Sequence, residues 1–148
     1  MNSQTKKLNT VILNLRLCFN LLRARADEMH QDLGVNASMR AVMESLSGAL
    51  EKTVPDIARS RGVSRQHIQL IVNGLTKAKL VKTRMNPDDK RTFLVSLTTK
   101  GEAVFSEIQK REIAVLKSLS EGFSTEQLNI TQSTLVSLIE TLKGTESE

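Results

Sequence analysis

Residues 62–77 have the sequence GVSRQHIQLIVNGLTK, which predicts a tight turn followed by an amphipathic helix. Gly62 suits the left-handed end of a preceding helix, and Ser64 is a favoured N-cap residue. At 100° per residue, the apolar side chains of the helix fall within about 60° of one another. This stripe consists of Ile68, Ile71, Val72 and Leu75. We therefore predict that the helix packs one face on its own domain and leaves the opposite face exposed.

The opposite face of this helix carries side chains that suit the major groove of DNA. Gln and Asn amides can pair bidentately with adenine, Arg and Lys can reach phosphate or guanine, and an apolar side chain can touch a thymine methyl group. The candidate DNA-contacting residues are Ser64, Arg65, Gln66, His67, Gln69, Leu70, Asn73 and Lys77. The alternative, for the helix taken alone, is a polar face that contacts only solvent.

The neighbouring segments complete a winged helix-turn-helix pattern. Thr53-Val54-Pro55-Asp56 predicts the start of a short helix, because its threonine can cap and its proline lies in the first turn. After the amphipathic helix, residues 80–84 and 92–97 are predicted strands, joined by a turn at Asn86-Pro87-Asp88-Asp89. The predicted fold class is therefore mainly α with a small β-hairpin wing.

The hairpin carries the basic residues expected of a DNA-binding wing. Lys90 and Arg91 lie at its predicted tip, and Arg84 lies on its first strand. Such a hairpin can place an arginine in the minor groove, where the potential of DNA is most negative. Asp88 and Asp89 are acidic, so we expect them to orient Arg91 through a charge-assisted hydrogen bond. The candidate wing residues are Arg84, Asp89, Lys90 and Arg91. The alternative is a solvated turn whose charges compensate one another.

The charge distribution favours a phosphate-binding protein. The 148 residues carry a net charge of +5, but residues 54–100 contain 10 basic and 3 acidic side chains, whereas residues 101–148 contain 4 and 8. A localised basic field is typical of nucleic-acid binding. The chain has four Phe and no Trp or Tyr. This composition argues against base stacking as the main binding mode, and therefore against single-stranded DNA or RNA as the partner.

Apolar helices are predicted on both sides of this region. They cover residues 5–30 and 102–143, and a further helix is predicted to begin at Asn36 or Ser38. The chain length favours a single domain over residues 1–148. Within it we predict a DNA-reading head over residues 37–101.

Several other classes of function are not indicated by the sequence. It shows no Gly-rich phosphate loop and no placeable nucleophile–base pair, so we predict that the chain is not an enzyme. The single Cys18 and the separated His30 and His67 lack metal-ligand spacing, and no cofactor or metal is expected. His30 is expected at the surface. No apolar run approaches the length of a membrane span and no signal peptide is visible, so the expected compartment is the cytoplasm.

Residues 53–101 resemble the multiple antibiotic resistance regulator (MarR) family. The wing pattern Asp-x-Arg, filled by Asp89 and Arg91 and followed by a strand and Leu-Thr-x-x-Gly, is among the most specific signatures of that family. The other matching runs are Val54-Pro55-Asp56-Ile57-Ala58, Val63-Ser64-Arg65-Gln66-His67-Ile68, Leu80-Val81, Asn86-Pro87 and Val95-Ser96-Leu97-Thr98 with Gly101. The resemblance implies a homodimer that binds a pseudo-palindromic operator in double-stranded DNA. It also implies a transcription regulator, usually a repressor that is released by a small ligand or by oxidation.

The resemblance also assigns the flanking helices to dimerisation. In this family the N- and C-terminal helices intertwine across a two-fold axis, which assigns residues 5–30 and 102–143 to the dimerisation region. The expected interface residues are Leu8, Ile12, Leu15, Leu135, Leu138, Ile139 and Leu142. The alternative is that these side chains form an intrachain core in a monomer.

Three positions bear on how closely this chain follows the family. Leu70 stands where many members have an exposed Arg, so one DNA contact should differ. Lys79 stands where they usually have Gly, so the end of the recognition helix should differ as well. Cys18 resembles the sensor cysteine of the branch that detects organic hydroperoxides, and it is a candidate redox sensor. That branch activates its thiolate with tyrosines, which are absent here, and a buried inert thiol is the alternative.

A different class of function remains open. A dimeric helical adaptor that binds another protein would also carry long amphipathic helices. Salt dependence separates the two, because DNA binding weakens steeply as counterions compete for the phosphates.

Overall fold

The computed structural model describes residues 1–145, whose secondary structure is mainly helical. The helices are α1 (Ser3–Met29), α2 (Ala37–Ser45), α3 (Val54–Arg61), α4 (Arg65–Lys77), α5 (Thr99–Ser120) and α6 (Thr125–Thr145), with a 3-10 turn at Gln31–Leu33. The strands are β1 (Lys52–Thr53), β2 (Val81–Met85) and β3 (Phe93–Leu97). The predicted class, mainly α with a small β wing, is confirmed.

The chain divides into two compact units, the first covering Met1–Gln109 and the second beginning at Lys110. The predicted limits of the reading head and of the dimerisation region stay predictions. None of the helices within residues 1–145 combines the length and the apolarity that a bilayer crossing requires.

Polar side chains start the helices where the sequence places N-caps. Asn36 accepts a hydrogen bond from the amide of Met39, which selects it over Ser38 as the start of α2. The hydroxyl of Thr53 accepts from the amide of Asp56, and the hydroxyl of Ser64 accepts from the amide of His67. Each bond satisfies one of the backbone donors that the first turn of a helix leaves without a partner.

The three strands form one antiparallel sheet in the order β1-β3-β2. The predicted hairpin is confirmed, with Val81 opposite Leu97 and Met85 opposite Phe93. The strand β1 was not predicted from the sequence, and it pairs Lys52 with Val95. This pairing makes β3 the central strand and ties the start of α3 to the wing.

A single apolar core fills the first unit. It brings together α2, α3, α4, the sheet and the first turns of α5. Its most completely buried members include Met43, Leu46, Ile57, Leu75 and Ile108, each 0% exposed. Full burial of such a side chain contributes roughly 1.5–3 kcal/mol, so this core fixes the orientation of α4.

The end of α4 meets the start of α5 at a close backbone approach. The amide of Thr98 donates to the carbonyl oxygen of Leu80 at 3.0 Å, and the Thr98 hydroxyl donates to the carbonyl of Lys79 at 2.7 Å. Lys79 has φ +62°, the left-handed conformation that usually selects glycine. The end of this helix was predicted to differ from the family because Lys79 replaces the usual glycine, and the backbone at Lys79 shows this difference.

His30 does not lie at the surface, and the expectation for this residue is wrong. It follows α1 directly and is 0% exposed. Its carbonyl oxygen accepts hydrogen bonds from the amides of Leu33 and Val35. The chain therefore turns back at His30, and Val35, which follows the 3-10 turn, joins the core. The sequence between α1 and α2 shows a glycine break but no pattern that would indicate how tightly the turn folds.

The first and last helices present apolar side chains to solvent. No residue of α1 is buried, although the helix carries a leucine-rich sequence. No residue between 125 and 144 is buried either. Exposed apolar surface on this scale is unusual for a monomer, and it typically marks an interface.

Candidate nucleic-acid interface

The helix α4 has one face in the core and one face in solvent. Ile68, Val72 and Leu75 are buried at 2%, 2% and 0% exposure, while Ile71 is half-buried. All of the predicted contact residues of α4 are exposed: Ser64, Arg65, Gln66, His67, Gln69, Leu70, Asn73 and Lys77. The structure thus brings the whole predicted set onto one accessible surface, which we call the α4 face.

The turn before α4 makes its N-terminus accessible. Gly62 adopts φ +66° and ends α3, and the amide of Val63 then donates to the carbonyl of Ala58 at 3.1 Å. This left-handed ending turns the chain within three residues, which is why α3 and α4 pack against each other as a helix-turn-helix pair. The first residues of α4 therefore project from the molecule beside the short α3.

Two amides on the α4 face are bonded to each other. The side-chain NH₂ of Gln69 donates to the side-chain oxygen of Asn73 at 2.9 Å. The residues are four apart on the helix, a spacing that places side chains one above the other. This bond does not use the side-chain oxygen of Gln69 or the side-chain NH₂ of Asn73. Both amides therefore keep groups that can pair with a base edge.

The wing tip holds its arginine by an aspartate. The guanidinium of Arg91 donates to Asp89 through Nε at 3.0 Å and through Nη2 at 3.3 Å, and its backbone amide donates at 3.1 Å. The side-chain hydrogen bond from Arg91 is the main reason that the pKa of Asp89 is lowered. Arg91 is 90% exposed, so it is oriented but remains accessible. Of the two aspartates predicted to orient Arg91, Asp89 is confirmed in that role.

The turn that carries Arg91 is internally bonded. The amide of Asn86 donates to the carbonyl of Thr92 at 3.1 Å, and the Asn86 side chain donates to the Thr92 hydroxyl at 3.0 Å. Lys90 lies between these anchors and is exposed. The tip therefore presents two cations from a closed turn.

Arg84 has a different environment from the other wing residues. Its guanidinium donates to both carboxylate oxygens of Glu51, at 2.6 Å and 3.0 Å. Sequence analysis did not identify Glu51. The two residues are 33 positions apart, and no local pattern could have indicated their contact.

The remaining predicted site residues lie on α1 and in the region of α6. Cys18 is exposed and makes no disulfide. Of the expected interface residues, Ile12, Leu135 and Leu138 are half-buried and the others are exposed: Leu8, Leu15, Ile139 and Leu142. No group of three or more His, Cys, Asp or Glu side chains within the described part of the chain is placed to hold a metal ion.

Comparisons with known proteins agree with this geometry. The sequence model of the MarR family matches residues 34–92. An uncharacterised protein of Mycobacterium tuberculosis is 36% identical over 92 residues, which cover 62% of this chain and 64% of that protein. The transcriptional repressor MdtR of Bacillus subtilis is 23% identical over 128 residues, covering 86% of this chain and 83% of that protein. The crystal structure of a MarR family transcription regulator is 28% identical, with a TM-score of 0.82 over 98% of this chain and 96% of that chain.

The α4 face, the glycine turn before it and the arginine-tipped hairpin define a winged helix-turn-helix protein. The chain is similar to the MarR family in sequence over residues 34–92 and in fold over 98% of its length, in agreement with the resemblance of residues 53–101. MdtR is named a transcriptional repressor and the protein of the crystal structure a transcription regulator, which is the class predicted from the sequence.

Proposed function

We propose that this chain is a sequence-specific regulator of transcription that binds double-stranded DNA. The observation that carries the proposal is the α4 face, on which eight predicted contact residues are exposed beside a wing with an exposed Arg91. A helix anchored by three buried apolar residues and free on its other side has the shape and chemistry of a major-groove reader. MdtR, a relative over most of the chain, is itself named a helix-turn-helix repressor.

The two parts of the surface have different roles in this proposal. Gln66, Gln69 and Asn73 read base edges, while Arg65 and Lys77 bind phosphate or guanine. Arg91 enters the minor groove, with Asp89 holding its guanidinium at the correct angle. The segment 54–100 supplies the positive field that attracts the duplex, because it contains 10 basic and 3 acidic residues.

The functional form in this proposal is a homodimer bound to a pseudo-palindromic operator. The exposed leucines of α1 and the apolar positions of α6 supply the surface that a second copy would cover. Two reading heads related by a two-fold axis would then face successive major grooves. The proposed action is repression, in the cytoplasm, where the DNA of such a regulator lies.

Release from the operator is proposed to follow binding of a small ligand. Oxidation of Cys18 is the second route, and it is supported by the exposure of the thiol. A reactive thiol must be accessible as well as activated. Operator binding that peroxide leaves unchanged, or reduces equally in Cys18→Ser, would exclude the second route.

Selection of genomic fragments by the purified protein tests the proposal. We expect enriched fragments to share a pseudo-palindrome whose half-sites lie about one helical turn or a multiple of it apart. Affinity for the recovered site should fall steeply between 50 and 200 mM salt, by roughly 10³-fold or more if about six phosphates are contacted. Absence of enrichment, or affinity insensitive to salt, would reject DNA binding and favour a protein-binding adaptor.

Two variants separate the α4 face from the wing. Arg91→Ala should weaken binding to all sequences, whereas Gln66→Ala should change preference at particular base pairs by about 1–3 kcal/mol. Lys117→Ala is the matched control for Arg91, because it removes one exposed positive charge outside the reading head. Wild-type binding by both test variants would show that the site is assigned wrongly.

A further inference from the structure

The wing is crossed by an ion pair near its turn, because Arg84 lies two residues before Asn86 and in the last residue pair but one of the hairpin. Glu51 precedes β1, and Arg84 lies on β2, with the central strand β3 between them. The Nε atom of Arg84 lies 2.6 Å from one carboxylate oxygen of Glu51, and its Nη2 atom lies 3.0 Å from the other. This bidentate geometry is the most specific that an arginine and a carboxylate can form.

The pair lies on the face of the sheet that points away from the core. Along β2 successive side chains alternate between faces, and Val81 is buried opposite Leu97. Arg84 is three positions after Val81, and an odd spacing places its side chain on the opposite, outer face of the sheet. Leu94, its half-buried partner on β3, shares that face. The guanidinium reaches Glu51 over β3, so the contact spans all three strands.

The backbone pairing beside this ion pair is short. The strand β1 contributes only two residue pairs, Lys52 with Val95 and Thr53 with Leu94. An open hollow of about 430 Å³ lies beside the ion pair, and its lining includes Ala49, Ser96 and Glu102. The bidentate ion pair therefore adds a side-chain tie between the residue before β1 and the wing strand β2.

The backbone before Glu51 is built to deliver it to this place. Gly48 and Ala49 both have left-handed conformations, with φ +80° and φ +60°. A left-handed conformation is unfavourable for alanine, so the surrounding structure must maintain it. The tight turn that results reverses the chain after α2 and brings Glu51 to the outer face of the sheet.

We propose that Arg84 is a positioning residue, which acts with Glu51 to fix the angle of the wing, rather than a residue that contacts DNA. This inference rests on the proposed function and revises the role predicted for Arg84 from the sequence. Both arginines bind a carboxylate through the edge formed by Nε and Nη2, but Arg84 binds a residue 33 positions away and is 57% exposed, whereas Arg91 binds its own turn and is 90% exposed at the tip. Fixing the hairpin two residues before its turn fixes where Arg91 meets the minor groove.

Four variants of the full chain test the proposal. Arg84→Gln and Glu51→Gln each break the ion pair, and the double variant Glu51→Arg with Arg84→Glu exchanges its charges. Lys82→Gln is the matched control, because it removes an equal charge from the same strand and the same face, and its influence on Glu51 is that of a nearby charge and not of a hydrogen bond. Two quantities are measured: hydrogen exchange of the amides of residues 82–97 without DNA, and affinity for a mixed-sequence 30-base-pair duplex at several salt concentrations.

The proposal predicts a distinctive set of signs. In both single variants the wing amides should exchange hydrogen about two- to fivefold faster than in the wild type, the range expected for loss of an exposed ion pair. The double variant with swapped charges should restore the slow rate. Glu51→Gln should bind the duplex less tightly, although removing a negative charge alone would strengthen binding. Arg84→Gln should leave the slope of affinity against salt unchanged, since no phosphate contact is lost.

Other results would overturn the proposal. If Arg84 contacts phosphate, Arg84→Gln should reduce the slope of log affinity against log salt concentration by about 0.9. The double variant with swapped charges should then fail to recover affinity for the duplex. Tighter binding by Glu51→Gln would show that the carboxylate acts only through its charge. If the wing amides of both single variants exchange hydrogen at the wild-type rate, the ion pair does not hold the wing in position. A wild-type chain that fails to bind any duplex would reject the proposed function, while the exchange rates would still decide whether the pair holds the wing.

Discussion

A Cβ atom at position 101 would lie 2.0 Å from the backbone carbonyl oxygen of Leu80. A backbone atom cannot move aside as the end of a flexible side chain can. We therefore expect Gly101→Ala to separate the start of α5 from the end of α4 and to lower the free energy of unfolding by about 1–3 kcal/mol. Urea unfolding measures this change.

Gly144→Ala is the matched control for that substitution. A Cβ atom there would meet nothing within 4 Å, and the residue lies in the last turn of α6. Replacing a helical glycine with alanine should leave stability unchanged or raise it by up to about 1 kcal/mol. Equal losses in the two variants would contradict the role given to Gly101.

Lys79 shows a strained backbone at the end of the same helix. Its φ is +62°, a conformation that costs an ordinary residue roughly 1–2 kcal/mol. Glycine also loses more chain entropy on folding, so we expect Lys79→Gly to stabilise the protein by a net amount of up to about 1 kcal/mol. Ala78→Gly should instead destabilise it, because Ala78 is in the right-handed region at φ −77°. Thermal unfolding of both variants would distinguish strain from a general effect of glycine.

Single residues were predictable where a local rule applies. The caps Thr53 and Ser64 follow from their own side chains and the next few residues, and both are confirmed. His30 was expected at the surface and is buried, since its environment is set by a turn between helices rather than by neighbouring residues. Glu51 was missed for a related reason, because its partner lies 33 positions away.

At the scale of elements, α2 and α3 are joined by a charged cluster. Glu44 contacts Arg40 of its own helix and Arg61 of α3, at 2.5 Å and 3.2 Å. Burial by itself would raise the pKa of Glu44, but the hydrogen bonds and charges of the two arginines outweigh burial and lower it. Because the pKa of Glu44 is lower in the folded state, this three-residue cluster stabilises the fold above about pH 4.5 and loses that contribution as the pH falls further.

Glu44→Gln tests this linkage. The variant should be less stable than the wild type at pH 7, and the difference should shrink as the pH is lowered from 5 to 3. Urea unfolding at each pH measures the difference, and 1 M salt should reduce it at pH 7. A difference that is the same at pH 7 and pH 3 would mean that the carboxylate contributes through packing and not through its charge.

The elements themselves followed the hydrophobic periodicity of the sequence. The helix predicted over residues 5–30 is observed as Ser3–Met29, and the two wing strands lie within one residue of the expected limits. The strand β1 was missed because it has only two residues, too few to show alternation. Its existence depends on pairing with β3, which the sequence places more than 40 residues away.

At the scale of the whole molecule, the proposed homodimer makes a direct prediction. Equilibrium sedimentation at micromolar concentration should give about twice the 16.4 kDa of one chain. Ile139→Glu places a charge in the proposed interface, where desolvation is costly, and should weaken dimerisation at least about tenfold. Leu70→Glu is the matched control on the α4 face and should sediment as the wild type does. A mass of one chain for the wild-type protein would reject the dimer.

The whole-molecule arrangement was the part least accessible to local patterns. The α4 face followed from periodicity, because the residues that are buried and those that are exposed belong to the same helix. The dimer contacts came from family resemblance, and they stay a prediction, since a surface that is exposed in one chain does not identify what covers it. Thus a contact within one helix was easier to predict than a contact that depends on another copy.

The bond between Gln69 and Asn73 has a consequence for how target sites can evolve. If the two amides meet DNA while bonded to each other, neither can rotate to suit a new base without releasing its neighbour. A mutation at one operator position would then change the best base at the adjoining position, and a symmetric dimer would impose the same rule on both half-sites. In the genomic targets, two adjoining operator positions would then change together during evolution. A position weight matrix that scores each position independently would misjudge the affinity of such sites.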